Sequence, residues 1–390
     1  MLISLPVEHQ SDFQLSFWEQ QTYFSSCDVL VVGGGLVGLF SALEMKMREP
    51  SLSVLVLDRG PFLPYGASTR NAGFACFGSI SELLDDLKTL SEDQVFSLVE
   101  RRYKGLLKMR SLLGDDAIAY ESFGGTEVFT RMEDKLADDC LGSMDRFNAA
   151  LKSITGLERT YVDSTSEVGG CGFSGVTRMI QNRGEGQLDA GRMMRALLGR
   201  TRAAGVEVLT GIGVEKIDES ADHVQLYTSH GFSIKAQRVL VTTNAFARQL
   251  LPELDVRPGR AQVLVTNPIG GLKVKGSFHY DRGYYYFRNV GDRILFGGGR
   301  NLDFSGETTT EFGLTGAIQS RLEELLKSMI LPDVPYSIEQ RWSGIMGLGP
   351  DRLPIVKRVS QRVFCAVRMG GMGVAIGSLV GEEAAQLILD

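Results

Sequence analysis

Residues 27–58 read CDVLVVGGGLVGLFSALEMKMREPSLSVLVLD, and this stretch decides the fold. It begins with an apolar run, Cys27–Val32, and ends with a second one, Ser53–Leu57, with a stretch of helical character between them. Both runs are short and rich in valine and leucine, as strands buried on both faces usually are. Strand, helix and strand in this order predict the start of a parallel sheet.

Three glycines follow the first strand in the spacing Gly33-x-Gly35-x-x-Gly38. In this pattern the first glycine permits a tight turn, the second lets the backbone approach a pyrophosphate, and the third lets the helix pack closely on the sheet. Leu36 and Val37 open the helix, whose free N–H groups and partial positive charge favour phosphate. The pattern predicts a Rossmann-type domain that binds a dinucleotide.

An acidic residue, Asp58, ends the second strand twenty residues after Gly38. A carboxylate at this position accepts hydrogen bonds from the ribose hydroxyls of a dinucleotide and disfavours the 2′-phosphate of NADP. We assign Arg59, Val214 and Thr243 to the same cofactor site. These residues alone leave both an FAD-binding and an NAD-binding protein open.

The composition is that of an ordinary globular protein, with 43% hydrophobic and 23% charged residues, and 390 residues are enough for two domains. A formal net charge of −6 argues against a nucleic-acid partner, since nucleic acid favours a basic face. The five cysteines are dispersed without a Cys-x-x-Cys pair, and the four histidines lack ligand spacing. The sequence therefore predicts no metal site.

The cellular location is predicted from the cysteines, the N-terminus and the longest uncharged run. An odd number of dispersed cysteines fits a reducing compartment. The N-terminus carries Glu8 and Asp12 and has no basic region, which differs from a signal peptide. The run Val29–Leu43 is too short to span a bilayer. We therefore expect a soluble, cytoplasmic protein without a membrane span.

The rest of the chain predicts two interleaved domains. Further parallel strands are expected at Val206–Leu209 and Arg238–Thr242, the first preceded by a helix that ends at Gly205. The stretch Arg260–Arg300 is rich in β-forming residues and predicts an antiparallel sheet, whereas Ser81–Met132 has a helical pattern. We assign residues 25–84, 184–249 and 341–390 to a doubly wound cofactor domain, and residues 85–183 and 250–340 to a substrate domain.

The loop after the second strand distinguishes FAD from NAD. Gly66-Ala67-Ser68-Thr69-Arg70-Asn71-Ala72-Gly73 resembles the Gly-Ala-Ser-x-Arg-Asn-Ala-Gly loop of the D-amino-acid oxidase superfamily. In that family the loop runs past the pyrophosphate of FAD to the isoalloxazine ring. The resemblance implies that Ser68, Arg70, Asn71, Ala72 and Gly73 line the flavin, and a polar surface loop is the alternative.

The C-terminal part also resembles this family. Arg368-Met369-Gly370-Gly371-Met372-Gly373-Val374 is similar to its last glycine loop, which places the first amides of a helix against the pyrimidine side of the flavin. The resemblance implies that Gly371, Met372, Gly373 and Val374 contact FAD, where such amides favour the negative charge of the reduced ring. Gly344 lies in a segment similar to the loop that closes over the flavin, and we assign it to the same site.

The resemblance covers roughly residues 17–390. It implies an α/β protein with a Rossmann-type FAD-binding domain and an interleaved substrate domain of antiparallel β-sheet plus helices. Tyr284, Tyr286 and Arg288 lie in a segment similar to the family's aromatic strand, and we assign them to the catalytic site. The alternation over Tyr284–Phe287 is also what a simple sheet core shows.

Two departures from the family bear on the substrate and on the cofactor. Glycine and D-amino-acid oxidases carry an arginine in the closing loop that clamps the substrate carboxylate, whereas this place falls near Met346. The loop is more similar to that of γ-glutamylputrescine oxidoreductases, so amines are expected to react faster than glycine or D-alanine, unless Arg288 or Arg341 supplies a clamp. The cysteine to which the sarcosine-oxidase branch attaches its flavin is absent from 344–349, so FAD is expected to be non-covalent.

The resemblance implies a FAD-dependent oxidoreductase for a small amine or amino acid. A hydride moves from the carbon next to a neutral amine nitrogen to flavin N5, and the resulting imine hydrolyses. The electron acceptor is O₂ or a compound that the sequence does not identify. The alternatives are a 2-hydroxy-acid oxidase or dehydrogenase of the same superfamily, a flavin domain serving a modification enzyme or complex, and an NAD-binding protein without flavin.

Overall fold

The computed structural model describes residues 14–390, so that Glu8 and Asp12, used in the signal-peptide prediction, lie outside the described residues. The strands are β1 (Cys27–Val32), β2 (Val54–Asp58), β3 (Phe74–Ala75), β4 (Gly125–Thr130), β5 (Tyr161–Asp163), β6 (Val176–Asn182), β7 (Gly186–Gln187), β8 (Glu207–Thr210), β9 (Val214–Glu219), β10 (Val224–Thr228), β11 (Ser233–Val241), β12 (Arg257–Thr266), β13 (Ser277–Tyr280), β14 (Tyr285–Val290), β15 (Arg293–Gly298), β16 (Ile338–Leu348), β17 (Ile355–Arg358) and β18 (Val363–Val367).

The helices are α1 (Phe17–Thr22), α2 (Leu36–Arg48), α3 (Ala67–Arg70), α4 (Ile80–Asp86), α5 (Glu92–Leu113), α6 (Asp115–Ile118), α7 (Asp134–Thr155), α8 (Val168–Cys171), α9 (Ala190–Ala203), α10 (Gly316–Leu325) and α11 (Gly373–Leu389). Short 3₁₀ segments lie at Arg131–Glu133, Thr165–Glu167, Asn244–Gln249 and Arg300–Leu302, and a π turn, Leu326–Ile330, follows α10. Among the described residues, no helix combines the length and apolarity that crossing a membrane requires.

The first sheet has the strand order β17-β18-β11-β1-β2-β8. Strands β18, β11, β1, β2 and β8 run parallel, and β17 pairs antiparallel with β18. The predicted β1–α2–β2 unit is confirmed, and so is the third parallel strand, which follows α9. Asp189 caps the start of α9, because its side chain accepts a hydrogen bond from the Arg192 N–H. This sheet is the Rossmann-type core that the sequence predicted.

The two faces of this sheet are covered differently. Helices α2, α5, α9 and α11 pack on one face, against Val29, Val31 and Val56. On the other face, Leu30 and Leu57 pack against residues of β10 and of the 3₁₀ segment after β11. The expectation of a doubly wound domain was therefore wrong, since a short antiparallel extension, β9–β10, takes the place of helices on the second face.

The second sheet has the strand order β16-β12-β15-β14-β13-β4-β6-β5. Its pairs are antiparallel except β13 with β4, which are parallel. Helix α10 packs on one face through Ile318 and Leu322. The predicted antiparallel sheet over 260–300 is confirmed. The helical interpretation of 81–132 was wrong over Gly125–Thr130, because the β-formers Thr126, Val128 and Phe129 pair there with β6 and β13.

Two elements connect the sheets across the domain boundaries that we assigned. Helix α5 belongs to the segment 85–183, yet its Leu98 and Leu106 pack in the core of the first sheet. Strand β16 reaches into the segment 341–390, yet it pairs with β12 in the second sheet. The division into a cofactor domain and a substrate domain stays a prediction.

Candidate functional site

The loop between β1 and α2 depends on its glycines for close packing. Gly33 has a φ of +109°, and a Cβ on it would lie 3.1 Å from the backbone of Thr242. A Cβ on Gly38 would lie 1.9 Å from the carbonyl oxygen of Gly33, so α2 can start here only with glycine at this position. Around Gly35 the space is open except for Ser68, whose Oγ would lie 3.0 Å from a Cβ.

The start of α2 presents backbone amides to open space. The N–H groups of Gly35, Val37 and Gly38 have no acceptor among the described residues, and that of Leu36 donates to Ser68 Oγ at 2.9 Å. Free amides at the start of a 13-residue helix favour an anion. Ser68, which the sequence assigned to the flavin, thus also caps this helix.

Asp58 is fixed at the carboxyl end of β2 by three backbone N–H groups. Its Oδ2 accepts from Gly34 at 2.8 Å, and its Oδ1 accepts from Gly60 at 2.8 Å and from Tyr65 at 3.1 Å. A carboxylate offers about four lone-pair positions, so one position is left for a ribose hydroxyl. The predicted acid therefore has a fixed orientation beside the glycine loop.

A cleft opens to solvent beside these residues, with about 830 Å³ of empty space when the part open to solvent is included. It is lined by seven residues assigned from the sequence, namely Gly33, Gly35, Asp58, Arg59, Ser68, Val214 and Thr243. The buried Oγ1 of Thr243 has no hydrogen-bond partner among the described residues. Such an orphaned hydroxyl in a cleft fits a polar ligand.

Sequence reasoning missed the residues of the 3₁₀ segment after β11. Phe246 lines the cleft, and the Arg59 guanidinium lies 3.7 Å from the centre of its ring. Asn244 also lines it, and its Oδ1 accepts hydrogen bonds from the N–H groups of Arg368 at 3.0 Å and Met369 at 3.3 Å. The available signal was a polar run at the carboxyl end of a buried parallel strand, where ligands of α/β sheets bind.

The loop 66–73 is held by its own side chains and by β16. Asn71 Nδ2 donates to the Ser68 carbonyl at 2.8 Å, and Asn71 Oδ1 accepts from the Gly73 N–H at 2.9 Å, so this amide shapes the loop. Arg70 donates through Nε to the Ser343 carbonyl, and Trp342 Nε1 donates to the Arg70 carbonyl at 3.0 Å.

The end of this loop and the assigned residue of β16 lie close by. Gly344 packs on the loop, since its Cβ position lies 3.5 Å from Arg70 Cβ. Ala72 is buried with Val263 and Leu295 of the second sheet. The loop therefore lies between the two sheets.

The second glycine loop precedes α11. Gly370 and Gly371 have φ angles of +60° and +85°. The amides of Gly373 and Val374 have no acceptor among the described residues, whereas the Met372 N–H donates to the Met369 carbonyl at 3.0 Å. Like α2, α11 thus starts with free amides, at the position where the resemblance implied contact with the flavin.

Met346 lies against this second loop. A Cβ on Gly371 would be 3.5 Å from its sulfur atom. Met346 therefore adjoins the C-terminal glycine loop. It occupies the position at which glycine and D-amino-acid oxidases carry the arginine that clamps the substrate carboxylate.

Two of the three residues assigned as catalytic, Tyr286 and Arg288, alternate along β14 and share one face of the second sheet, whereas Tyr284 directly precedes the strand. Tyr286 packs edge-on against Phe74 at 5.6 Å, directly after the 66–73 loop, and burial raises the pKa of Tyr286 to about 12. Tyr284 is 40% exposed and contacts Phe304, so it lies away from that loop.

Arg288 is a buried cation beside the flavin loop. Arg288 is 6% exposed, and its Nε has no hydrogen-bond partner among the described residues. Its Nη2 lies 3.0 Å from the Cβ position of Gly73. Burial lowers the pKa of Arg288 to about 10, while the charges of Glu121 and Asp189 act in the opposite direction. The guanidinium therefore stays charged at neutral pH.

Arg341, the other candidate for binding the substrate carboxylate, already has partners within the protein. Its Nη1 donates to Gln319 Oε1 at 2.6 Å, and its Nη2 forms an ion pair with Glu323 at 2.8 Å. The structure therefore distinguishes the two candidates, since of these two arginines only Arg288 lies beside the 66–73 loop.

Comparison with known proteins decides the family. A family model described as FAD dependent oxidoreductase matches residues 28–387. The chain belongs to this family. It is an FAD-dependent oxidoreductase, and this excludes the alternative of an NAD-binding protein without flavin. The free amides, the open space at Gly35 and the orphaned Thr243 hydroxyl fit a dinucleotide cofactor of this kind.

Individual relatives are distant. The γ-glutamylputrescine oxidoreductase of Escherichia coli strain K12 is 25% identical over 93% of this chain and 84% of its own length. The bifunctional protein ThiO/ThiG of Trichormus variabilis is 24% identical over 84% of this chain, and the chain spans 47% of that protein, about half its length. Glycine oxidase from Geobacillus kaustophilus matches the fold with a TM-score of 0.74 and 20% identity, over 94% of this chain and 95% of its own.

Proposed function

We propose that this oxidoreductase oxidises a small α-amino acid whose carboxylate is bound by Arg288. The observation that carries the proposal is the charged, buried guanidinium without an acceptor at Nε. A buried charge without a partner costs roughly several kcal/mol, so the Arg288 guanidinium favours an anionic ligand. Arginine and carboxylate form a bidentate pair that fixes orientation as well as adding binding energy.

The cofactor would be held by the elements around the cleft. The free amides of Gly35, Val37 and Gly38 would receive the pyrophosphate, and Asp58 the ribose hydroxyls. Arg59 and Phe246 would flank the adenosine part, and the amides of Gly373 and Val374 would face the flavin. Bound FAD supplies the hydride acceptor.

The side chains at the reaction centre would position the substrate and exclude water. Arg288 would bind the carboxylate, and Tyr286 with Phe74 would form the apolar wall next to it. With a pKa of about 12, the Tyr286 hydroxyl stays protonated at neutral pH, so it can donate a hydrogen bond but does not act as a base. A substrate that binds with a neutral amine needs no protein base for hydride transfer.

This proposal departs from our expectation that amines react faster than amino acids. That expectation rested on Met346 in place of the clamping arginine. Arg288 stands on a different strand and offers the same chemistry. The names of the relatives support a substrate with an oxidisable C–N bond, since they include a glycine oxidase and a γ-glutamylputrescine oxidoreductase.

The test compares pairs of compounds that differ only in the carboxylate. Glycine and methylamine, sarcosine and dimethylamine, and L-proline and pyrrolidine are mixed anaerobically with the holoenzyme, and flavin bleaching gives second-order rate constants. We expect the acid of the best pair to react about 10²-fold faster or more. Equal rates within the pairs, or faster reduction by a γ-glutamyl-capped diamine, would overturn the proposal. Fastest reduction by L-lactate would favour the 2-hydroxy-acid alternative.

A further inference from the structure

A cysteine, a glutamate and a histidine from distant parts of the chain meet near the 66–73 loop. Cys76 follows β3, Glu185 precedes β7, and His279 lies on β13. One ligand atom of each, the sulfur, a carboxylate oxygen and a ring nitrogen, lies within 4.8 Å of the other two. Cys76 is 4% exposed and Glu185 is 1% exposed, so the cluster is an interior feature.

The backbone holds the glutamate of this cluster in place. Its Oε1 accepts hydrogen bonds from the N–H groups of Phe77 at 2.7 Å and Gly78 at 2.9 Å. Its Oε2 fits against Gly125, where a Cβ would lie 2.0 Å away. The carboxylate is therefore oriented by β4 and by the segment after β3, as supported metal ligands usually are.

The ring nitrogens of His279 are available for metal binding. Neither ring nitrogen of His279 has a hydrogen-bond partner among the described residues, and the ring packs edge-on against Phe74 at 5.1 Å. Both ring nitrogens are therefore available as ligand atoms. A neutral imidazole is the form that binds metal ions.

We propose that Cys76, Glu185 and His279 bind a zinc-type divalent metal ion. Thiolate, imidazole and carboxylate are the ligands that Zn²⁺ takes in proteins, at about 2.0–2.3 Å and in tetrahedral geometry. Ligand atoms in such a site lie about 3.5 Å apart, so the cluster needs to contract by roughly 1 Å. One thiolate and one carboxylate balance the charge of the ion, which favours a buried site. Three protein ligands leave a fourth position for water.

The site adjoins the proposed substrate pocket through Phe74, which contacts both His279 and Tyr286. A bound ion would join the segment after the flavin loop to β13 of the second sheet. The sequence predicted no metal site because the three ligands lie on separate segments, without the local spacing that reveals zinc motifs. Metal binding by these three residues is independent of which substrate the enzyme oxidises.

The experiment measures metal content of the holoenzyme. The protein is incubated with ZnCl₂ and dialysed, and zinc per polypeptide is determined by mass spectrometry. We expect one ion per chain in the wild type, and background levels in Cys76→Ser and His279→Gln. Cys171→Ser and His223→Gln, outside the cluster, are the matched controls and should keep the ion. MgCl₂ should not be retained, because magnesium prefers oxygen ligands.

Thermal unfolding of the wild type gives a readout that does not depend on the variants folding well. Zn²⁺ should raise Tm with a concentration dependence that follows binding to the native state. The proposal is overturned if the wild type retains no more zinc than Cys76→Ser, or if ZnCl₂ leaves its Tm unchanged. Loss of the ion from Cys171→Ser as well would also overturn it.

Discussion

Arg288 lies beside Gly73, with its Nη2 3.0 Å from the position that a Cβ of Gly73 would occupy. The glycine belongs to the loop assigned to the flavin, and the arginine belongs to the strand assigned to the substrate. Gly73 has a φ of +72°, which any larger residue adopts at a cost. The absence of a side chain therefore lets a buried cation reach the boundary between the two sites.

Replacing this cation should remove the preference for a carboxylate. In Arg288→Met we expect the second-order rate constant for flavin reduction by the best amino acid to fall about 10²-fold or more, because a charged partner is lost. Reduction by the matching amine without a carboxylate should change little. Stopped-flow reduction of the two holoenzymes measures both effects.

Arg341→Met is the matched control for this experiment, because Arg341 has the same side chain on β16 but pairs with Glu323 near the surface. It should keep the wild-type rate constants within about twofold, as surface ion pairs contribute little. If both variants lose activity equally, or if Arg288→Met slows the amine as much as the acid, Arg288 does not bind a carboxylate.

Gly35→Val should give a folded protein without FAD. The Cβ of the new side chain would approach only Ser68 within the protein, at 3.0 Å from its Oγ, and the side chain would enter the space that we assign to the pyrophosphate. Flavin absorbance per polypeptide and circular dichroism measure cofactor content and folding. Gly199→Val, in an open position on α9, should keep the flavin. A folded Gly35→Val protein with normal flavin content would show that the loop does not hold the cofactor.

The flavin should be released by acid or heat. The described residues place Cys27, Cys76, Cys140 and Cys365 in the interior and Cys171 in a partly buried position, and none lies in the 344–349 segment. After trichloroacetic acid precipitation, we expect the yellow colour in the supernatant and no fluorescent protein band on a denaturing gel. Colour that stays with the polypeptide would demonstrate a covalent link and disprove this prediction.

Acid should weaken the ion pair at Glu82. Burial raises the pKa of Glu82, but the charges of Arg352 and Arg102 outweigh burial and lower it from 4.5 to about 2. The folded state therefore binds protons less readily than the unfolded state, so the stabilisation is complete above about pH 4.5 and is lost as pH falls towards 2. Glu82→Gln should be destabilised by roughly 3 kcal/mol at pH 7.

Urea unfolding at pH 7 and at pH 3.5 tests the sign of this effect. The difference between wild type and Glu82→Gln should shrink at the lower pH, because the unfolded wild-type chain then binds a proton at Glu82 while the folded chain keeps this carboxylate ionised. Asp85→Asn, which removes an exposed pair with Lys88, is the control and should cost about 0.5 kcal/mol or less. An equal difference at both pH values would mean that Glu82 contributes by packing and not by charge.

Local features of the sequence predicted much of the fold. The glycine loop and Asp58 belong to one strand–helix–strand unit. Their contact at the end of β2 therefore follows from the local structure of this unit. Tyr286 and Arg288 share a face because side chains alternate along a strand. These relationships need no knowledge of the rest of the molecule.

Features set by pairing between distant segments could not be predicted in this way. Strand β4 is only six residues long, and it is stabilised by hydrogen-bonded pairing with β6 on one side and with β13 on the other. Phe246 and Asn244 reach the cleft only because β11 ends beside β1. Whether Arg288 or Arg341 is free depended on the acidic partner of Arg341, which comes from α10.

The hydrogen bond from Trp342 to Arg70 has an optical consequence. The chain contains two tryptophans, and Trp18 is 74% exposed on α1, whereas Trp342 is fixed to the loop that we assign to the flavin. We therefore expect energy transfer to a bound isoalloxazine to quench the emission of Trp342. In a Trp18→Phe protein, intrinsic fluorescence becomes a built-in, label-free signal for the arrival and departure of the cofactor.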